Sequence, residues 1–207
     1  MDRRDFIAAA LAGLALSPAG AAQATIVVLG DSLSAEYGLT RGSGWVALME
    51  KRLAAEKVAA RVVNASISGD TTSGGRARLP ALLAQHKPTH VVIELGGNDA
   101  LRGAALAMTE DNLSQMTQAA QKAGAKVLLV GMQVPPNYGS AYADQFSGMF
   151  AKVARRHGTA LVPFFLAGVA DVADPTRLFQ SDRIHPRAEA QPQMLANVWP
   201  ELRKLLK

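Results

Sequence analysis

The chain has 207 residues, which is room for one domain of ordinary size. Apolar residues make up 49% and charged residues 19%, a balance that excludes a disordered or low-complexity chain. No apolar run reaches the roughly 18 residues that cross a bilayer, and the absence of cysteine excludes disulfides, thiolate metal sites and a cysteine nucleophile. The net charge of +5 comes from scattered Arg and Lys, with Arg155-Arg156-His157 the longest basic run, so solvated faces are expected rather than a nucleic-acid partner.

Residues 1–24 read as an export signal rather than as part of the fold. A charged opening, Met1-Asp2-Arg3-Arg4-Asp5, precedes the small apolar stretch Phe6 to Leu16. Ser17-Pro18-Ala19-Gly20 breaks any helix, and Ala22-Gln23-Ala24 has the form of a cleavage site. Arg3-Arg4-Asp5-Phe6-Ile7 resembles the twin-arginine address, although Asp2 and Ala8 depart from it. The mature chain is then expected to begin at Thr25, to form a single domain over 25–207 and to reside in the periplasm.

Five short runs, rich in β-branched residues and apolar at nearly every position, follow. They are Ile26–Leu29, Arg61–Ala65, Val91–Leu95, Val127–Val130 and the weaker Ala160–Val162. Such runs predict strands buried on both faces of a parallel sheet. Between them, Trp45, Leu48, Met49 and Leu53 recur at helical spacing. So do Leu113, Met116 and Ala120 before Gly124, and Phe146, Met149, Phe150 and Val153 before His157, which is expected at a helix C-terminus. Pro192 and Pro200 predict a break or kink in the last helix. The alternation predicts a doubly wound α/β sheet.

In such sheets the site lies beyond the carboxyl ends of the strands. Polar, Gly-rich clusters occupy three successive strand ends: Gly30-Asp31-Ser32-Leu33-Ser34, Asn64 through Thr71, and Gly96-Gly97-Asn98-Asp99. A fourth, Asp182-Arg183-Ile184-His185-Pro186, lies beyond the fifth strand. Each residue has an ordinary reading. Ser32 could cap a helix, Gly69 could serve a tight turn, Asn98 could bond its own backbone and His185 could be a surface histidine. Pro186 biases His185 toward extended backbone, and a turn could bring Asp182 to its ring. His86 and His90 flank Pro88, which spoils a helical metal pair.

Together the clusters could supply an acyl-transfer site. Ser32 would be the nucleophile, His185 its base, and Asp182 the group that orients the imidazole. Ser32 N–H, Gly69 N–H and the Asn98 amide would hold the oxyanion.

Gly-Asp-Ser-Leu-Ser at 30–34 resembles the first block of the SGNH (GDSL) hydrolase superfamily, and Gly69, Asn98 and Asp182-x-x-His185 resemble its other blocks in order. Asn64 to Thr71, Ala77 to Leu83, Glu94 to Asp99, Pro136 to Gly139 and His185 to Pro192 are similar to the bacterial thioesterase I, protease I and lysophospholipase group. The resemblance implies a flavodoxin-like three-layer α/β/α sandwich with a five-stranded parallel sheet. It implies the triad and donors named above and cofactor-free hydrolysis of acyl thioesters, lysophospholipids and aryl or alkyl esters. It also makes Pro136, Asn137, Tyr138 and Gly139 a wall of the acyl pocket. Glu36 departs from the small residue usual there, and is expected to alter the mouth of the site or its pH dependence.

A carbohydrate or other short-acyl acetylesterase is the alternative within the superfamily. A lipid carrier or a flavodoxin-like cofactor binder is the alternative outside it, and either would turn over no ester. No G-x-S-x-G elbow occurs, which disfavours a conventional α/β-hydrolase. Gly69 to Arg76 misses the P-loop because no lysine is in place to reach the phosphates.

Overall fold

The computed structural model describes residues 23–207. Most of the expected export signal therefore lies outside the described residues. Five strands form one wholly parallel sheet: β1 (Ala24–Gly30), β2 (Ala60–Asn64), β3 (His90–Glu94), β4 (Lys126–Val130) and β5 (Ala160–Val162). Their order is β2-β1-β3-β4-β5. The apolar runs land on them because both faces are covered, and Ile26, Val27, Val28 and Leu29 are completely buried.

Helices α1 (Trp45–Ala55) and α6 (Gln191–Leu205) pack together on one side, and α2 (Thr72–His86), α4 (Leu106–Lys122) and α5 (Ser140–His157) on the other, giving three layers. A short α3 (Gly97–Leu101) follows β3. The apolar stripes face inward: Trp45, Met49 and Leu53 from α1, Leu113, Met116 and Ala120 from α4, and Phe146, Met149, Phe150 and Val153 from α5 are buried. Gly158, at φ 59°, ends α5 directly after His157.

Two features differ from the sequence reading. The last helix is continuous. Pro192 lies in its first turn, where no N–H is required, and so begins the helix instead of breaking it. Pro200 does remove an interior donor, yet buried Met194, Leu195, Val198, Trp199 and Leu202 hold the helix on the sheet through that point. Helix α2 was hidden by Ser73-Gly74-Gly75 and Pro80. Its start is fixed by Thr71, whose side chain accepts the Gly74 N–H at 3.2 Å. Gly75 permits close packing, because a Cβ there would stand 2.3 Å from Leu95 Cδ1. The Gly-rich near-miss to a P-loop is thus a capped, tightly packed helix start.

Candidate active site

Strand order reverses between β1 and β3, so a crevice opens beyond their carboxyl ends. Ser32 follows β1 and Asn98 follows β3. A Cβ at Gly30 would meet Ser34 Cβ at 2.8 Å and Glu94 Oε2 at 2.9 Å, so only glycine lets the chain leave β1 this way. Residues 32–38 form successive turns rather than an α-helix. Asp31, not Ser32, serves the local backbone by accepting the Leu33 N–H at 3.0 Å. The Ser32 hydroxyl instead meets His185 Nε2 at 2.9 Å.

His185 is held from several sides. Asp182 Oδ1 accepts the backbone N–H groups of Ile184 and His185 at 3.0 and 3.1 Å, closing the turn that carries the ring. Asp182 Oδ2 lies 2.6 Å from His185 Nδ1. An ionised carboxylate only accepts, so Nδ1 donates and Nε2 is left to accept the Ser32 proton. That hydrogen bond is the main reason Asp182 is held down at about 2. The Gln180 N–H donates to the His185 carbonyl at 2.8 Å, and the Gln180 amide donates to the Tyr37 carbonyl at 2.9 Å. The Tyr37 ring lies over the imidazole with centroids 4.2 Å apart.

The oxyanion candidates lie on the neighbouring loops. Gly69 sits at φ +79°, in the left-handed region that favours glycine, and its carbonyl accepts Arg102 Nη2 at 2.8 Å. Asn98 lies on α3 and donates through Nδ2 to Asp31 Oδ2 at 3.0 Å, not to its own backbone. Among the described residues, neither Ser32 N–H nor Gly69 N–H donates to a protein acceptor. Pro136–Tyr138 form a single 3-10 turn, with Gly139 at φ 84° leading into α5. The Tyr138 ring stacks on Tyr142 at 5.7 Å, Asn137 is exposed, and this loop follows β4 at the carboxyl ends of the strands, as the Ser32 and Asn98 loops follow β1 and β3.

Sequence reasoning missed three carboxylates. Asp31 and Glu94 are both buried behind Ser32, and Glu94 Oε2 accepts the Ser34 hydroxyl at 2.7 Å. Burial pushes Asp31 up to about 6. Burial, reinforced by the charge of Asp31, raises Glu94 well above the carboxylate range. Asp99, also buried, accepts the Thr72 N–H at 2.8 Å and so ties α3 to the start of α2. A charged residue ending an otherwise apolar strand, Glu94, was the available signal.

The Glu36 carboxylate is taken up by backbone groups of its own loop. It turns back to accept Gly42 N–H at 2.9 Å and Gly44 N–H at 2.7 Å, bracing the loop before α1. Two other histidines serve the scaffold. Buried His90 reaches the Leu205 carbonyl at 3.0 Å, and His157 meets Ser114 Oγ at 2.7 Å. Two surface hollows, one beside Glu50, Val58 and Ala60 and one beside Gln121, Lys126 and Leu205, contain none of the candidate residues.

The GDSL-like lipase/acylhydrolase family model matches residues 28–191. The chain belongs to this family. It is 57% identical to the esterase TesA of Pseudomonas aeruginosa over 95% of this chain and 96% of that one. It is 44% identical to the thioesterase 1/protease 1/lysophospholipase L1 of Escherichia coli K12, over 83% and 80% of the two chains. A crystal structure of TesA superposes with a TM-score of 0.84 at 58% identity, covering 87% of this chain and 99% of that one.

As a GDSL-like acylhydrolase, the chain presents a hydroxyl beside an imidazole and free N–H groups from two loops. This arrangement can polarise a carbonyl, take a proton from the attacking hydroxyl and return it to a leaving group.

Proposed function

We propose that this chain is an exported serine esterase acting on acyl esters and thioesters, including lysophospholipids and aryl or alkyl esters. The observation that carries the reading is the line Ser32 Oγ–His185 Nε2 at 2.9 Å and His185 Nδ1–Asp182 Oδ2 at 2.6 Å. Ser32 Oγ attacks the substrate carbonyl carbon as its proton passes to His185 Nε2. The carbonyl oxygen becomes an oxyanion held by Ser32 N–H, Gly69 N–H and the Asn98 amide. His185 then gives its proton to the departing alcohol or thiol, leaving Ser32 acylated. Water, deprotonated by the same imidazole, releases the acid. Asp182 keeps Nδ1 protonated throughout and steadies the imidazolium. Residues 136–139 line the acyl side of the crevice.

The names of the close relatives support ester and thioester substrates. The charged opening, apolar stretch and Ala22-Gln23-Ala24 support export and cleavage after Ala24, with residues 25–207 as the periplasmic domain. Cleavage there removes the first residue of β1 and keeps the pairing of Thr25 with Arg61.

Turnover of p-nitrophenyl butyrate, long-chain acyl-CoA and lysophosphatidylcholine by the purified protein tests the reading. Hydrolysis of all three is expected. No turnover of any would refute it.

A further inference from the structure

We propose that Asp31 is a positioning residue that aims the side-chain amide of Asn98 at the oxygen of the reacting carbonyl, an inference that rests on the esterase reading above. Asp31 directly precedes Ser32 and is 3% exposed. Its two carboxylate oxygens have separate duties: Oδ1 accepts the Leu33 N–H at 3.0 Å and Oδ2 accepts Asn98 Nδ2 at 3.0 Å. An amide nitrogen carries two protons in one plane. With one proton given to Asp31, the plane is fixed and the other is left for a substrate oxygen. The flipped amide would point its carbonyl oxygen at a carboxylate, and neither group could donate. Asp31 therefore excludes the orientation in which Asn98 would repel an oxyanion.

The same carboxylate couples the donor to the nucleophile, because Leu33 belongs to the turn that carries Ser32. The anchor continues inward. The Asp31 N–H faces Glu94 Oε2 at 3.4 Å, that oxygen accepts the Ser34 hydroxyl at 2.7 Å, and Ser34 Oγ accepts Trp45 Nε1 at 3.1 Å. Trp45 is completely buried, so the chain of contacts ends in rigid core. Asn98 thus takes its direction from β1, although it is carried on α3.

A double-mutant cycle on the full chain, with p-nitrophenyl butyrate as substrate, tests this. Asp31→Ala is expected to lower kcat by about ten- to a hundredfold, part of the value of an oxyanion donor, with KM within about twofold. In an Asn98→Ala background the same change is expected to lower kcat by no more than about twofold, since the group it orients is gone. Equal losses in the two backgrounds, or a loss confined to KM, would overturn the inference. If Asp31→Ala fails to fold by circular dichroism, the cycle is run with Asp31→Asn, which keeps an acceptor oxygen of equal reach. A smaller loss, still absent from the Asn98→Ala background, supports the inference, and equal losses overturn it. The esterase reading fails separately, if Ser32→Ala retains wild-type turnover.

Discussion

Asp182 and His185 stand three positions apart and join through a 2.6 Å hydrogen bond, within a turn that the same carboxylate closes by accepting two backbone N–H groups. One side chain thus shapes the loop and selects the tautomer. Asp182→Asn keeps an imidazole beside Ser32 but offers Nδ1 an amide that can donate, favouring the wrong tautomer. The expected result is a loss of kcat approaching about 10⁴-fold, measured by p-nitrophenyl ester turnover, with KM little changed. Wild-type kcat would show that the carboxylate only shapes the turn.

Asn98→Ala removes one of the proposed oxyanion donors and leaves the contacts among Ser32, His185 and Asp182 untouched. A fall in kcat of about a hundredfold or more is expected, with a small effect on KM. A change in KM alone would place Asn98 in ground-state binding.

Glu94 couples the stability of the fold to pH. Its carboxyl is raised by burial and by the nearby charge of Asp31, so the folded chain holds this proton more tightly than the unfolded chain. The corresponding stability is present below the unfolded value of about 4.3 and is lost as pH rises toward the raised folded value. Urea unfolding at pH 5 and pH 8 should therefore show a larger fall in stability for wild type than for Glu94→Gln, which has no proton to lose there. Equal falls would mean that Glu94 is not the group responsible.

Glu36 was expected to affect chemistry and is found bracing a loop. Glu36→Ala strips Gly42 and Gly44 of their acceptor, and a loss of about 1–2 kcal/mol is expected in urea unfolding. The pH profile of kcat should stay in place, and a displaced profile would return Glu36 to the mouth of the site.

Much of this arrangement was legible in the sequence because its signals are local. Five apolar runs mark strands wherever both faces of a sheet are covered, and three of the polar clusters follow directly from the strands they end. The Asp182-to-His185 spacing is itself a turn. What was hidden depends on contacts between distant segments. Glu94 and Asp31 are 63 residues apart, and only the β1–β3 pairing makes them neighbours. Helix α2 carries Gly74 and Gly75 in its first turn, where their low helix propensity is outweighed by the Thr71 cap and by packing on Leu95. Pro192 was misleading because proline reads as a breaker until the helix start is known.

In the proposed reaction the Ser32 hydroxyl, activated by His185, takes up the acyl chain. Reaction with a fluorophosphonate ester followed by peptide mass spectrometry tests it most directly. One adduct per chain on the Ser32 peptide, with ester turnover lost in proportion and labelling greatly slowed in His185→Ala, is the predicted result. An adduct on another residue, or an unlabelled Ser32 in fully inactivated protein, would contradict it.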